Sequence, residues 1–204
     1  MTLIARILAP GIVGAEVEDA GQPVLLIPEE EALVAHAAPK RRRDFALGRF
    51  CAHRALAALG GGEAVIGRHK NGAPLWPDGV VGSITHTSGY AAALAADGER
   101  ISGIGVDAEH VGAVSEDIWP KLFGPDERDY LTKLEDEEDR KLCATLFFCA
   151  KEACFKAWGA APPFREIAVS RTPNGFVACG ADKILEGRFA VQGDLLLAAG
   201  WVRA

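Results

Sequence analysis

The segment from about Asp139 to Trp158 (DRKLCATLFFCAKEACFKAW) constrains the fold most, because it predicts a helix with apolar residues on nearly every face. Such a helix must be covered on several sides by other elements. Its charged residues Lys151, Glu152 and Lys156 are therefore expected to be partly buried. Partly buried charges need partners or a chemical task.

The remaining segments predict a mixture of helices and short strands. Residues 28–59 are typical of helices, residues 102–111 (SGIGVDAEHV) of a buried strand, and residues 167–202 of a terminal meander. Residues 1–27 predict two short strands around turns. Residues 79–96 (GVVGSITHTSGYAAALAA) begin as a strand, but their second part is too rich in small residues to distinguish helix from strand. The sequence contains no low-complexity tract and no repeat that can be recognised residue by residue.

Length and charge exclude several classes of protein. The 204 residues allow one large domain or two small halves, and a hydrophobic content of 49% excludes disorder as the main state. The net charge of −6 argues against non-specific binding to nucleic acid or to an anionic membrane, so any anion site must be built locally. No apolar window reaches the ~18 residues of a membrane span, and no signal-peptide pattern opens the chain.

The cysteine pattern indicates a reducing compartment. The five cysteines form no C-x-x-C pair, are odd in number and lie mostly in apolar runs. Buried thiols fit this pattern better than disulfides or zinc ligands. We therefore expect a soluble, cytoplasmic protein.

Two carboxylates lie at the end of the predicted strand 102–111. Asp107 and Glu109 are two residues apart, so on a strand they project from the same face. On this spacing alone, two solvated acids are the simpler interpretation. A divalent cation between them is the alternative, and an oxygen-only ligand set favours Mg²⁺ over zinc.

The apolar helix supplies a second charged cluster. Glu152 and Lys156 are four residues apart and share a face, whereas Lys151 lies about 100° round the helix from Glu152. A surface ion pair is the simple interpretation of this spacing. The surrounding phenylalanines and cysteines instead favour charges that are partly buried and have a function.

A third cluster is basic. Arg49 and His53 are four residues apart on a predicted helix, and with Arg42 they could form a cationic stripe suited to a phosphate. A solvated helix face is the equally good alternative. His86 lies in a small, polar loop (GSITHTSG), where an imidazole and backbone N–H groups could approach a phosphate.

Three familiar patterns are rejected. The run GIGVDA matches G-x-G-x-x-A, but the dinucleotide fingerprint needs a helix there and these residues continue a strand. No phosphate-binding G-x-x-x-x-G-K-[ST] loop occurs. Ser83, His86 and Asp107 lack the G-x-S-x-G turn of a hydrolase triad.

Taken together, four blocks of the sequence resemble the 4′-phosphopantetheinyl transferase family, in its two-lobed single-chain type associated with siderophore, nonribosomal peptide and polyketide synthases. The blocks are RRRDFALGRFCAHRAL, KNGAPLWPDGVVGSITHTSGY, GIGVDAE and FFCAKEACFKAW, and they span about residues 41–158. The resemblance implies an α+β fold of two similar halves related by a pseudo-twofold, residues 1–101 and 102–204. The first half would bind the adenosine and phosphates of coenzyme A, and the second would bind metal and catalyse.

The implied reaction moves the 4′-phosphopantetheine arm of coenzyme A to a serine of an acyl or peptidyl carrier protein. Asp107, Glu109 and Glu152 would hold Mg²⁺, with Mn²⁺ as an alternative, and Glu152 would also take the serine proton. Lys156 would neutralise or protonate the leaving phosphate. The phosphates of coenzyme A would be bound by the following residues: Lys151, Lys156, His86, and the basic helix around Arg49 and His53 with Arg42 and Arg54.

The sequence departs from the family pattern at three positions. Phe148 replaces a frequent tryptophan, His53 a common arginine, and Ala108 a larger aliphatic residue. Two functions from other classes stay open beside the transferase: a non-catalytic module that binds coenzyme A or a nucleotide, and a DNA-binding protein that uses the basic helix. The net charge of −6 argues against DNA binding, and the presence of Asp107 and Glu152 argues against a non-catalytic module. Because both halves belong to one chain, we expect a monomer.

Overall fold

In the computed structural model, which describes residues 1–204, helices and strands come in separate runs along most of the chain. The α-helices are α1 (Leu3–Ile7), α2 (Pro28–Ala32), α3 (Pro39–Ala58), α4 (Trp119–Leu122), α5 (Pro125–Lys133) and α6 (Glu137–Trp158). The strands are β1 (Ile12–Glu18), β2 (Gly67–Arg68), β3 (Pro74–Leu75), β4 (Val80–Thr87), β5 (Tyr90–Asp97), β6 (Ile101–His110), β7 (Ala168–Thr172), β8 (Gly175–Gly180), β9 (Lys183–Gln192) and β10 (Leu195–Arg203). Two short 3₁₀ turns cover Glu116–Ile118 and Phe164–Glu166.

Two antiparallel sheets repeat one topology. The first sheet has the order β1-β5-β4, and the second has the order β6-β10-β9-β8-β7. In each half the chain forms a strand, a long helix and two further strands, and the last strand pairs between the other two. The β7–β8 hairpin extends the second sheet only. The expected α+β fold with two similar halves is therefore confirmed.

Helix α6 lies unusually close to β6. An acidic N-cap, Asp136, accepts a hydrogen bond from the Asp139 N–H and starts the helix. A Cβ atom at Gly103 would lie 2.2 Å from the Ala157 carbonyl oxygen, and one at Gly105 would lie 1.9 Å from that of Ala153. Only glycine fits at either position, so the two glycines bring the backbones of α6 and β6 together.

Strand β5 is buried on both faces, which explains its alanines. On one face Ala91 and Ala93 pack against α3, and on the other Ala92 and Leu94 pack among residues of α1 and β6. Small side chains let the layers on both faces pack close to the strand. The segment that the sequence left undecided is therefore a strand.

The N-terminal prediction is wrong for both of its strands, and the strand that does form there is β1, Ile12–Glu18. Residues 3–7 form helix α1 instead of a strand, and the apolar residues 24–27 lie outside any regular element. Leu3, Ile4 and Ile7 share one helical face and are buried, so the run satisfies a helical as well as a strand pattern. The predicted C-terminal meander is confirmed as β7–β10. No helix combines the length and the apolar character needed to cross a membrane.

Candidate active site

The two halves meet where β4 of the first sheet lies against β6 of the second. These strands exchange no regular backbone ladder. Instead, the Ser83 hydroxyl accepts a hydrogen bond from Val106 N–H and the Thr85 hydroxyl accepts one from Ala108 N–H, both at 3.1 Å. Alternate residues of β4 thus satisfy the backbone of β6 and fix the register between the halves.

Asp107 is held at this junction and is only 8% exposed. Its Oδ1 accepts hydrogen bonds from the Thr85 hydroxyl at 3.2 Å and from the Lys156 ammonium at 2.8 Å. The same ammonium donates to the Val106 carbonyl at 2.8 Å. The other oxygen, Oδ2, is buried and has no hydrogen-bond partner. A buried, unpaired carboxylate oxygen is costly unless a cation or donor completes it.

Glu109 and Glu152 add negative charge beside Asp107. The Thr87 hydroxyl donates to Glu109 Oε2 at 3.2 Å. Burial raises the pKa of Glu109 and of Glu152, and the charge of Asp107 raises both pKa values further. Lys156 opposes this effect at Glu152. The structure therefore brings the three predicted carboxylates into one electrostatic cluster that Lys156 compensates only in part.

This donor set fits a hard divalent cation. It offers carboxylate oxygens only, and it includes the unpartnered Oδ2 of Asp107. No group of three or more His, Cys, Asp or Glu side chains is arranged to hold a metal ion alone. Mg²⁺ typically takes one or two protein carboxylates together with water and substrate phosphate, so a complete protein cage is not required.

A basic pocket of about 130 Å³ opens on the first half beside this cluster. Its basic lining residues are the arginines Arg41, Arg49 and Arg68, together with His86. Arg41 Nη1 lies 3.1 Å from His86 Nε2. Burial lowers the pKa of His86, and Arg41 and Lys156 lower it further against the opposing charge of Asp44. The three arginines thus concentrate positive charge in this pocket, on a chain whose net charge is negative.

A larger cavity of about 930 Å³ connects the two halves. Residues 69–74 and 82–84 line it from the first half, and Lys156 and Gly159 line it from the second. Gly72, Pro74 and Ile84 line the basic pocket as well. Lys156 therefore stands between the carboxylates and a space that leads to the basic pocket.

Arg49 is the most buried cation of the pocket, with 4% of its surface exposed. Its Nη2 donates to the Gly67 carbonyl at 2.8 Å, whereas its Nε has no hydrogen-bond partner. Burial lowers the pKa of Arg49, and Glu30 opposes this effect. The guanidinium is thus held in place while one of its N–H donors, at Nε, has no hydrogen-bond partner.

The prediction that Lys151 holds cofactor phosphates is wrong in this structure. Its ammonium is fully buried and donates to Glu127 Oε2 at 2.6 Å, to the Leu122 carbonyl at 3.0 Å and to the Phe164 carbonyl at 2.9 Å. An ammonium has three donors, and all three are used. Lys151 instead ties α6 to the segments around it.

Three further predicted phosphate ligands lie outside the basic pocket. Arg42 pairs with Glu31 on the surface, Arg54 is exposed over the Phe50 ring, and the His53 imidazole contacts Glu30. Conversely, Arg41 and Arg68 line the pocket although the sequence did not single them out as ligands. Arg41 belongs to the same basic run as Arg42. The only sequence signal at Arg68 is that it lies among basic residues just before a turn (RHKNG).

Comparison with known proteins assigns a family to this geometry. The model described as "4′-phosphopantetheinyl transferase N-terminal domain" matches residues 29–96, and the "4′-phosphopantetheinyl transferase superfamily" model matches residues 103–198. The chain is 42% identical over 158 residues to 4′-phosphopantetheinyl transferase Npt of Nocardia iowensis, covering 76% of this chain and 69% of the relative. It is 37% identical over 135 residues to 4′-phosphopantetheinyl transferase PptT of Mycobacterium tuberculosis, covering 65% of this chain and 57% of the relative.

A solved structure is also similar to part of the chain. It is a holo-(acyl-carrier-protein) synthase from Bacillus anthracis in complex with CoA, with 19% identity and a TM-score of 0.46, matching 52% of this chain and 98% of that one. The sequence relatives, rather than this partial likeness, decide the family. The chain belongs to the 4′-phosphopantetheinyl transferase superfamily.

Proposed function

We propose that the protein transfers the 4′-phosphopantetheine arm of coenzyme A to a serine of an acyl or peptidyl carrier protein and releases adenosine 3′,5′-bisphosphate. One observation carries the proposal. The basic pocket of the first half adjoins the cavity between the halves, and Lys156, whose ammonium is paired with the Asp107 carboxylate, lines that cavity from the second half. Phosphoryl transfer needs this combination of bound phosphates, an activated hydroxyl and a stabilised leaving group.

The first half, residues 1–101, would bind coenzyme A. Arg41, Arg49 and Arg68 line a narrow pocket with His86 and can make charge-assisted hydrogen bonds to phosphate oxygens. The adjoining cavity of about 930 Å³ has the size of a typical ligand site. A local pocket of this kind selects a multiply charged anion in spite of the net charge of −6.

The second half, residues 102–204, would bind Mg²⁺ through Asp107, Glu109 and Glu152. When bound, the cation would neutralise charge on the diphosphate oxygens. Beyond the effect of burial, repulsion from Asp107 raises the pKa values of Glu109 and Glu152, and a bound cation would relieve that repulsion. Thr85 and Thr87 hold Asp107 and Glu109 from the opposite half.

Glu152 and Lys156 would handle the proton and the leaving group. Glu152, directly or through water, would accept the proton of the carrier serine while the serine oxygen bonds to the phosphorus attached to pantetheine. The bond from that phosphorus to the bridging oxygen breaks, and the electron pair leaves with adenosine 3′,5′-bisphosphate. The Lys156 ammonium lines the cavity and is 29% exposed, so it can stabilise the charge on that leaving oxygen.

The test is to incubate the protein with coenzyme A, Mg²⁺ and a panel of apo carrier proteins, and to weigh the intact carriers. A chelator-sensitive gain of one phosphopantetheine arm is expected. Glu152→Gln should reduce the rate by at least about 100-fold, whereas Glu138→Gln, at the exposed start of the same helix, should not change it. Binding of coenzyme A without transfer to any carrier would instead indicate a non-catalytic module.

Two further properties belong to the proposal. All five cysteines are unpaired and four are buried, which suits a reducing compartment such as the cytoplasm. The cavity between the halves is lined from a single chain, which suits a monomer. Sedimentation analysis measures the oligomeric state directly.

A further inference from the structure

We propose that Glu30 is a positioning residue that holds Arg49 in the basic pocket, and that His53 holds Glu30 rather than a phosphate. The inference rests on the proposed function, in which the basic pocket binds phosphates of coenzyme A, and it adds that Arg49 contacts the 3′-phosphate. It concerns a carboxylate that no sequence pattern indicated, and it gives His53 a different role from the one expected of it.

The Glu30 carboxylate is fully buried within the first half. His53 Nε2 lies 3.0 Å from both of its oxygens, and Ile66 N–H donates to Oε1 at 3.0 Å. Because an ionised carboxylate has no proton to donate, the imidazole must be the donor. The lone pairs of Glu30 are thus engaged by α3 and by the backbone that precedes β2.

The same carboxylate organises the surroundings of Arg49 in two ways. Its Oε1 lies 3.9 Å from Arg49 Nε, close enough for a charge interaction in a buried setting. It also fixes Ile66, and the next residue, Gly67, accepts the Arg49 Nη2 hydrogen bond at 2.8 Å. Arg68, a second cation of the pocket, follows directly. Glu30 therefore holds both the Arg49 guanidinium and the start of β2, whose Gly67 carbonyl accepts the Arg49 hydrogen bond.

Positioning and simple electrostatics predict opposite effects for the loss of this charge. A negative charge near the pocket repels an incoming phosphate, so if Glu30 acted by charge alone, neutralising it would tighten coenzyme A binding. If Glu30 holds Arg49 in place, neutralising it frees Arg49 and weakens binding of the phosphate that Arg49 contacts. The sign of the change therefore distinguishes the two roles.

The experiment compares coenzyme A with 3′-dephospho-coenzyme A, which lacks only the 3′-phosphate. Dissociation constants are measured by titration calorimetry, with Mg²⁺, on the full chain and on Glu30→Gln. Glu29→Gln is the matched control, since Glu29 is the exposed neighbour on α2. We expect Glu30→Gln to weaken coenzyme A binding about tenfold, the effect of losing one hydrogen bond to a charged group. Its affinity for the dephospho form should stay within about twofold of wild type, and the control should match wild type for both.

The outcomes separate this inference from the proposed function. If the wild-type chain binds neither nucleotide, both fail. Suppose instead that the wild-type chain prefers coenzyme A. The positioning role is then wrong, and the proposed function stands, if Glu30→Gln behaves as Glu29→Gln does, binds coenzyme A more tightly than wild type, or loses affinity for both nucleotides equally. Should Glu30→Gln fail to fold by circular dichroism, His53→Ala gives the same readout. That variant should lower the preference for coenzyme A, and His53→Gln, which keeps an N–H donor, should restore part of it.

Discussion

Replacing Gly105 with alanine should separate α6 from β6 and thereby disturb the active site. The new Cβ would lie 1.9 Å from the Ala153 carbonyl oxygen and 2.6 Å from its carbonyl carbon. Real Cβ contacts essentially never fall below 3.0 Å. The obstacle is helix backbone, which cannot rotate away as a flexible side chain can, so the two elements must separate by about 1 Å.

That displacement affects the site because both elements carry its charges. Asp107 follows Gly105 by two residues on β6, and Glu152 precedes Ala153 on α6. Overpacking of this kind costs about 1–3 kcal/mol of stability and occasionally more, and here we expect the upper part of that range. A misplacement of about 1 Å can lower the rate about 100-fold in the protein that remains folded.

Urea unfolding measures the free energy of unfolding, and the initial rate of carrier modification measures activity under conditions in which both proteins are folded. Gly62→Ala is the matched control, because a Cβ there meets no atom within 4 Å. The control should be neutral or slightly stabilising. If Gly105→Ala matched Gly62→Ala in both measurements, the close approach of α6 to β6 would not matter and the reasoning would be refuted.

Three other predictions concern stability, pH and chemical reactivity. Lys151→Met leaves the buried Glu127 carboxylate without its cation and should lower the free energy of unfolding by about 3–5 kcal/mol. Lys133→Met, which breaks a surface pair, should lower it by about 0–1 kcal/mol in the same urea titration. Equal losses would contradict the prediction for Lys151. Hydrogen bonds from Arg43 lower the pKa of Asp19 from 3.8 to about 2, so this group contributes stability above about pH 4 that is lost as the pH falls towards 2. The Tm difference between wild type and Asp19→Asn should accordingly vanish at the acidic end of a pH series, and a constant difference would disprove the assignment. A thiol reagent should label Cys179 alone in the native protein, since the other four cysteines are buried. After unfolding it should label all five. Labelling of more than one thiol in the native protein would contradict the burial of the other four.

The sequence predicted the elements whose patterns are long and have clear ends. Helix α6 was expected from about Asp139 and begins at Glu137, because acidic residues and an N-cap mark its start. Strand β5 could not be recognised, since alanine favours neither the strand period nor β structure. Its environment, two layers packed on its two faces, depends on elements far away in the chain. The run 3–7 was misread because five residues are too few to separate the two periods.

The site was predictable where the resemblance and local spacing agreed. Asp107, Glu109 and Glu152 form one electrostatic cluster, and the Lys156 ammonium donates a hydrogen bond to Asp107. Lys151 was misassigned because its partner, Glu127, is 24 residues away and only the fold shows that it is buried beside α6. Long-range contacts of this kind leave no periodic signal in a sequence.

Helix α1 makes the two equivalent junctions of this repeated topology unlike each other. Exchanging the two halves maps β4 onto β9 and β6 onto β1, so the β4–β6 junction has a counterpart between β9 and β1. Helix α1 contacts both β1 and β9 there, and the Ile4 side chain packs over β1 at Gly14. Helix α1 thus fills the counterpart junction, whereas the junction of β4 with β6 lies beside the cavity of about 930 Å³ that Lys156 lines.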